Sequence, residues 1–257
     1  MDRIGLCSVS FRDKSPREIL EAAKNACLDC VEWGSDVHAR CDDTVNLEQI
    51  AAMQKDIGIY CSSYGTYYRI GADKPGAILP YIHAAKVLGT DILRVWCGNK
   101  KPQDYTSDEL ERIFEDCRAL VKIAEENQII ICLECHNDTL TETVDSALAL
   151  MQAIDSPYFR MYWQPIYFNT PEISMEYARR IESYTYYLHV YNWDHDLNRY
   201  PLIHSLKTWK NYRKCFSGER TLLLEFMPDD RIESLQAEAE TLKRVAVKCP
   251  SRNTILK

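Results

Sequence analysis

Residues 129–136 are Ile129-Ile130-Ile131-Cys132-Leu133-Glu134-Cys135-His136, and this stretch decides the fold. A near-continuous apolar run is typical of a strand that is buried on both faces of a parallel sheet. The run ends in a carboxylate and an imidazole, which are costly to bury unless a metal, a charged partner or a substrate lies beside them. The stretch therefore predicts a buried parallel strand that carries Glu134 and His136 to a functional site.

Three later apolar runs end in the same kind of side chain. Residues 159–163 precede Gln164, residues 186–188 precede His189, and residues 221–224 precede Glu225. The carboxyl ends of parallel strands share one face, so we expect these three side chains and Glu134 to converge. Their hard oxygen and nitrogen donors suit Mn²⁺, Mg²⁺, Co²⁺ or Zn²⁺, with Mn²⁺ preferred here, and two carboxylates would neutralise the ion. The alternative for each residue taken alone is a structural hydrogen bond.

Strand and helix patterns alternate eight times along the chain. Two helix starts carry capping boxes, Ser15 with Glu18 and Thr106 with Glu109. Such alternation requires a parallel sheet with helical crossovers, and eight units in 257 residues predict an α/β fold, a (β/α)8 TIM barrel forming one domain over residues 1–257. The alternative is an open doubly wound sheet, but the sequence has no GxGxxG after its first strand and no P-loop. The predicted strands are residues 3–10, 30–34, 57–64, 91–96, 129–134, 159–163, 184–191 and 221–226.

Composition limits the classes of partner. The net charge is 31 − 38 = −7 with a pI of about 5.5, so nucleic acid is not an expected ligand. No apolar stretch approaches the ~20 residues of a membrane span, and no signal peptide is recognised, so we expect a cytoplasmic protein without a membrane partner. The eleven cysteines are expected to be free thiols, including the CxxC pairs Cys27/Cys30 and Cys132/Cys135.

Aromatic residues gather near the predicted strand ends. Trp33, Trp96, Trp163 and Trp193 lie at or just past these ends, which predicts an aromatic-walled pocket suited to a sugar or a cyclic polyol. The alternative is packing at the barrel rim. Tyr64 is expected to contact the same ligand, and Tyr64, Tyr67 and Tyr68 are predicted to form a loop that could close as a lid.

The chain resembles the xylose-isomerase-like superfamily of barrels, which comprises sugar isomerases and epimerases and the endonuclease-IV branch of AP endonuclease family 2 type. The resemblance begins in Ile4-Gly5-Leu6 and continues through Val31-Glu32-Trp33. It implies that Glu134, His189 and Glu225 are metal ligands. The family's sixth-strand aspartate is replaced by glutamine in Trp163-Gln164-Pro165.

Two substrate contacts of the ketose 3-epimerases are also replaced in this sequence. Tyr167 stands where they have histidine, and His195 stands where they have arginine. The loop over residues 191–201 therefore resembles a different branch of the superfamily, in which His195 or Arg199 is expected to contact the substrate.

The resemblance implies a divalent-metal-dependent isomerase or epimerase that transfers a proton next to a carbonyl of a ketose or cyclic polyol. One glutamate, Glu134 or Glu225, would take the proton and the other would return it, with His136 as an alternative acid–base group. Elimination on the same site would make the protein a lyase acting on a keto-sugar or keto-glycoside. A non-catalytic sugar-binding or partner subunit is a third hypothesis, and a homo-oligomer or a second subunit stays open. A DNA-repair nuclease is disfavoured by the acidic charge.

Overall fold

Eight parallel strands close into a barrel in the computed structural model, which describes residues 1–247. The first strand pairs with the second and also with the last, where Arg3 lies opposite Thr221, and this pairing closes the ring. The predicted (β/α)8 TIM barrel is confirmed, and residues 248–257 of the predicted domain lie outside the described residues. The strands are β1 Arg3–Cys7, β2 Cys30–Gly34, β3 Tyr60–Ile70, β4 Ile92–Cys97, β5 Ile130–Glu134, β6 Phe159–Trp163, β7 Thr185–Val190 and β8 Thr221–Leu224.

A helix follows each strand and packs its apolar face on the barrel. Both predicted capping boxes are present, with Ser15 and Glu18 opening α1 and Thr106 and Glu109 opening α4. Gly89 ends α3 with a φ of 84°, a conformation that a residue without a Cβ adopts at little cost. None of the helices within residues 1–247 is long and apolar enough to cross a membrane. The helices are α1 Pro16–Asn25, α2 Thr44–Ile57, α3 Leu79–Leu88, α4 Ser107–Asn127, α5 Val144–Ile154, α6 Pro171–Arg180, α7 Leu206–Arg213 and α8 Leu235–Val245.

The third strand is longer than predicted. It includes the three tyrosines that were predicted to form a lid loop, so this prediction is wrong. Tyr64, Tyr67 and Tyr68 all belong to β3, because tyrosine-rich sequence favours the extended chain. The register of β3 against β4 shifts between Gly65 and Arg69. A Cβ at Gly65 would lie 2.7 Å from the side chains of Arg94 and Glu32, so glycine leaves room for both inside the barrel.

The loop after β5 contains a helix-start pattern that does not open a helix. Thr139 and Glu142 have the spacing of a capping box, but α5 begins at Val144 with Thr143 as its N-cap. The threonine hydroxyls bind the end of β5 instead. Thr141 donates to the carbonyl of Glu134, and Thr139 donates to the carbonyl of His136 at 2.7 Å. These bonds fix the backbone that carries the two candidate site residues.

Candidate active site

The four predicted ligand residues meet around one imidazole nitrogen at the carboxyl end of the barrel. His189 is fully buried, and its Nδ1 lies 3.1 Å from Gln164 Oε1, 3.4 Å from Glu134 Oε1 and 3.5 Å from Glu225 Oε2. Glu134 and His189 lie within strands β5 and β7, while Gln164 and Glu225 directly follow β6 and β8. The structure thus brings together residues that are as far apart in the chain as positions 134 and 225.

The spacing of these atoms fits a divalent ion. Ligand distances of about 2.0–2.2 Å put neighbouring donors of a tetrahedral or octahedral ion roughly 3.0–3.5 Å apart. Burial raises the pKa of Glu225, and the negative charge of Glu134 adds to this effect. A cation would relieve the repulsion between these carboxylates. Glu134, His189 and Glu225 could therefore hold a metal, with Gln164 as a neutral fourth donor.

A buried arginine, Arg94, holds the Glu134 carboxylate in place. The Arg94 guanidinium donates from Nε to Glu32 Oε1 at 3.0 Å and from Nη1 to Glu134 Oε2. Trp96 Nε1 donates to the same Glu134 oxygen at 2.7 Å. Burial alone would raise the pKa of Glu32, but the charges of Arg94 and His189 together with hydrogen bonding outweigh it and lower this pKa to about 2. Glu134 consequently keeps Oε2 on these donors and turns Oε1 toward His189.

Glu32 and Arg94 were missed as site residues by the sequence analysis. Glu32 Oε1 lies 3.6 Å from His189 Nε2, too far for a hydrogen bond, so this carboxylate contributes negative charge beside the imidazole on the ring edge away from Glu134. The available signal was a charged residue inside an apolar run, since Glu32 and Arg94 interrupt the second and fourth strands. Nothing in the sequence shows that they would pair with each other.

His136 has a defined tautomer beside the predicted metal position. Its Nδ1 lies 2.8 Å from the carbonyl oxygen of Asn137. A carbonyl only accepts hydrogen bonds, so Nδ1 carries the proton and, in the neutral ring, Nε2 keeps a lone pair. The ring packs against Trp96, with centroids 5.3 Å apart. His136 is thus prepared to accept a proton from a bound molecule.

A cavity of about 230 Å³ opens above these residues. Trp96 and Trp193 line it, as the aromatic pattern predicted, together with His136, Gln164 and Glu225. Much of the remaining wall is formed by four residues that the sequence pattern did not predict as substrate contacts, namely Arg12, Tyr67, Tyr167 and Tyr191.

Three predicted substrate contacts lie away from the cavity, which corrects their assignment. Trp33 donates to Gln54 of α2, Trp163 packs on Trp209 of α7, and Tyr64 donates to the carbonyl of Ala39. Successive strand residues point to opposite faces, so Glu32 and Tyr162 face the barrel interior while Trp33 and Trp163 face the helices. A position near a strand end therefore does not by itself predict that a side chain faces the cavity, because the alternation along the strand decides its direction.

Two further predicted substrate contacts, His195 and Arg199, lie in the loop after β7 but do not line the cavity. The side chain of His195 is 79% exposed beside Asp196 and is not part of the cavity wall. Arg199 forms an ion pair with Asp230 and lies over the ring of Phe226, 4.8 Å from its centroid. Arg199 therefore supports the wall from behind rather than facing a ligand.

Both predicted CxxC pairs contain free thiols. Cys27 is exposed, whereas Cys30, Cys132 and Cys135 are buried in the core of the barrel.

Comparison with known proteins identifies the family. The model of the xylose isomerase-like TIM barrel family matches residues 20–200. The chain belongs to this family. The match confirms the family predicted from the sequence.

Individual relatives are distant in sequence. A 3-dehydroshikimate dehydratase of Bacillus anthracis is 23% identical over 168 residues, which cover 62% of this chain and only 60% of that relative. The crystal structure of the probable 3-DHS dehydratase AsbF of Bacillus anthracis superposes with a TM-score of 0.80 at 18% identity, covering 95% of this chain and 99% of the other.

Two further solved structures share the fold. A xylose isomerase-like TIM barrel protein of Mycobacterium smegmatis in complex with magnesium gives a TM-score of 0.69 at 14% identity, covering 95% of this chain and 97% of the other. An L-ribulose 3-epimerase gives a TM-score of 0.72 at 14% identity, covering 95% of this chain and 93% of the other. These similarities show the fold, and several of these relatives are named as enzymes.

Proposed function

We propose that this protein is a divalent-metal-dependent lyase that removes a proton next to a carbonyl of a small hydroxylated compound and then releases water. One observation carries the proposal: His136, whose Nδ1 carries the proton and leaves Nε2 as the acceptor, lines the same cavity as Glu134 and Glu225. A positioned base beside a cation site is the arrangement that proton abstraction next to a carbonyl requires.

The metal would be held by Glu134 Oε1, His189 Nδ1 and Glu225 Oε2, with Gln164 Oε1 nearby. When bound, it would supply a Lewis acid that polarises the substrate carbonyl. These donors suit Mg²⁺ or Mn²⁺ better than a thiolate-binding ion. The magnesium complex of the Mycobacterium smegmatis protein supports this choice.

The proton path runs through His136. Its Nε2 takes the proton from the carbon beside the carbonyl, while its Nδ1–H stays on the Asn137 carbonyl. The electron pair of the broken C–H bond forms a C=C bond, the C–O bond of the neighbouring hydroxyl breaks, and the proton on His136 leaves with that hydroxide as water. Glu134 is a poor base, because Arg94 and Trp96 already occupy Oε2 and Oε1 faces the metal position. The exchange between two glutamates expected from the sequence is therefore less favoured than a single base.

The similarity to the Bacillus anthracis dehydratases supports elimination as the outcome of the reaction.

Epimerisation is the second candidate, and the position of Glu225 favours it. Its carboxylate lines the cavity, whereas Oε2 of Glu134 is already occupied by Arg94 and Trp96. In that reaction His136 and Glu225 would act on opposite faces of the substrate.

Purified protein loaded with Mn²⁺ or Mg²⁺ tests the proposal. We would incubate it with 3-dehydroshikimate, ketoses, inososes and 3-keto-glycosides in D₂O, and follow loss of water by mass spectrometry and ultraviolet absorbance. The expected result is a metal-dependent unsaturated product from at least one compound. Deuterium incorporation with inverted stereochemistry and no loss of water would favour epimerisation instead. Absence of both reactions, with metal bound, would leave the sugar-binding subunit as the better hypothesis.

A further inference from the structure

Arg12 brings unused hydrogen-bond donors to the cavity. It follows the 3₁₀ turn Ser8–Phe11 that leaves β1, and its side chain lines the cavity wall. Its Nη1 pairs with Asp36, and its Nη2 donates to the hydroxyl of Tyr67 at 2.8 Å. A guanidinium has five N–H donors, so three of them have no partner among residues 1–247.

A second unused donor lies in the same wall. Trp193 lines the cavity, and its indole N–H is buried without a hydrogen-bond partner in the part of the chain that the structure describes. Its ring packs on Phe226, with centroids 5.0 Å apart, and the Phe226 N–H donates to Ser10 Oγ at 2.9 Å. The loops after β7, β8 and β1 therefore meet on one side of the cavity. His136 follows β5, which is opposite β1 in the closed ring of eight strands.

Several neutral polar groups of the wall are already paired. The Tyr191 hydroxyl donates to the Pro165 carbonyl, the Tyr67 hydroxyl donates to Asp36, and the Asn137 amide donates to Asp138. Much of the remaining wall is aromatic. A neutral polyol needs many free hydrogen-bonding groups, whereas a compact anion needs a few strong donors at one end.

We propose that the substrate carries a carboxylate, which Arg12 and Trp193 bind from the loops after β1 and β7 while its carbonyl end faces His136 and the cation site. This inference rests on the proposed function, whose substrate class it narrows. A carboxylate can use two N–H groups of one guanidinium at once, a geometry that lysine does not offer. Asp36 offsets part of the charge of Arg12, so it limits the affinity for the anion.

Calorimetry with a matched pair of ligands tests this proposal without turnover. The protein would carry His136→Asn and be loaded with Mg²⁺, and the probes would be 3-dehydroshikimate and its carboxamide. We expect the acid to bind about tenfold more tightly than the amide. Arg12→Gln should remove this preference, and Asp36→Asn should increase it. Arg17→Gln, an exposed substitution on α1, is the control and should leave the preference unchanged.

Each outcome has a defined meaning. Equal binding of acid and amide, no binding of the acid, or an unchanged preference in Arg12→Gln overturns the inference, provided that the melting temperature shows a folded variant. Arg12-dependent binding of the acid supports it even where the protein with His136 restored converts no compound. In that case the proposed reaction fails and the anion site stands.

Discussion

Trp96 donates its indole N–H to Glu134 at 2.7 Å, on the same carboxylate oxygen that Arg94 binds. Two donors on Oε2 leave Oε1 as the oxygen that faces His189 Nδ1, at 3.4 Å. The carboxylate is thereby held with one oxygen available to the proposed ion. Arg94 is the residue on which this arrangement most depends, because it balances Glu32 and Glu134 inside the barrel.

Replacing Arg94 by methionine should destabilise the protein by about 3–5 kcal/mol at pH 7 in the presence of chelator. Removal of one partner leaves buried, unpaired carboxylates, which is the costly way to break a buried ion pair. Urea unfolding monitored by circular dichroism measures the change. Arg118→Met, an exposed substitution on α4, is the matched control and should change stability by less than about 0.5 kcal/mol. A loss below about 1 kcal/mol in Arg94→Met would contradict the proposed role.

The ion pair between Arg94 and Glu32 predicts that the free energy of unfolding depends on pH. Arg94 is the largest of the contributions that lower the pKa of Glu32, against the effect of burial, to about 2 from an ordinary value of 4.5. A lowered carboxyl pKa adds stability above pH 4.5, and this stability is lost as pH falls toward 2. The difference in unfolding free energy between wild type and Arg94→Met should therefore narrow from pH 5 to pH 3. A difference that stays constant over this range would show that Glu32 is not the partner that matters.

Much of the fold could be predicted because local signals agreed with it. The strands at residues 30–34 and 159–163 have the predicted bounds, and both capping boxes form. Glu134, Gln164, His189 and Glu225 could be placed together because a parallel barrel collects strand ends on one face. This inference needs only the strand order, not the details of packing.

The remainder depends on relations that the sequence does not display. The contact between Arg94 and Glu32 joins two strands that are not neighbours in the barrel. Which way a strand-end residue points depends on the phase of the alternation along its strand, and this phase turns Trp33 and Trp163 toward the helices. The length of β3 depends on its pairing with β4, which resumes after the register shift at Gly65.

His136→Asn should reduce turnover by about 10²–10⁴-fold if His136 is the base. The asparagine keeps a polar group of similar size but cannot accept and return the proton. Rates are measured on whichever compound the metal-loaded protein dehydrates. Metal content, determined by elemental analysis, should stay unchanged because His136 is outside the group formed by Glu134, His189 and Glu225. His83→Asn, an exposed substitution on α3, should retain full activity. Equal rates for both variants would remove His136 from the mechanism.

Metal should stabilise the protein more at pH 7 than at pH 5. Burial raises the pKa of Glu225, so the metal-free protein loses stability as pH rises above about 4.5 and this carboxylate ionises. A divalent ion offsets that cost. An ion at 100 times its dissociation constant adds about 2.7 kcal/mol, which is roughly 5–10 °C in melting temperature for a chain of this size.

Differential scanning fluorimetry with Mg²⁺ or with chelator, at both pH values, measures this shift. In Glu225→Gln the shift should nearly vanish, whereas Glu111→Gln, an exposed substitution on α4, should behave as wild type. A shift that is independent of pH and persists in Glu225→Gln would argue against Glu225 as a ligand.

Gln164→Glu should have opposite effects on the metal-free and the metal-bound protein. Gln164 Oε1 lies 3.1 Å from His189 Nδ1, and the substitution places a third carboxylate there without changing the length of the side chain. Without metal, repulsion among three carboxylates should lower the melting temperature. With metal, the added charge should tighten binding by about tenfold, or ~1.4 kcal/mol. Calorimetry and fluorimetry measure the two effects separately. Gln49→Glu, on the exposed face of α2, adds the same charge away from the cavity and should produce neither. Lower stability without tighter binding would mean that Gln164 serves only as the hydrogen-bond partner of His189, and that Glu134, His189 and Glu225 alone hold the ion.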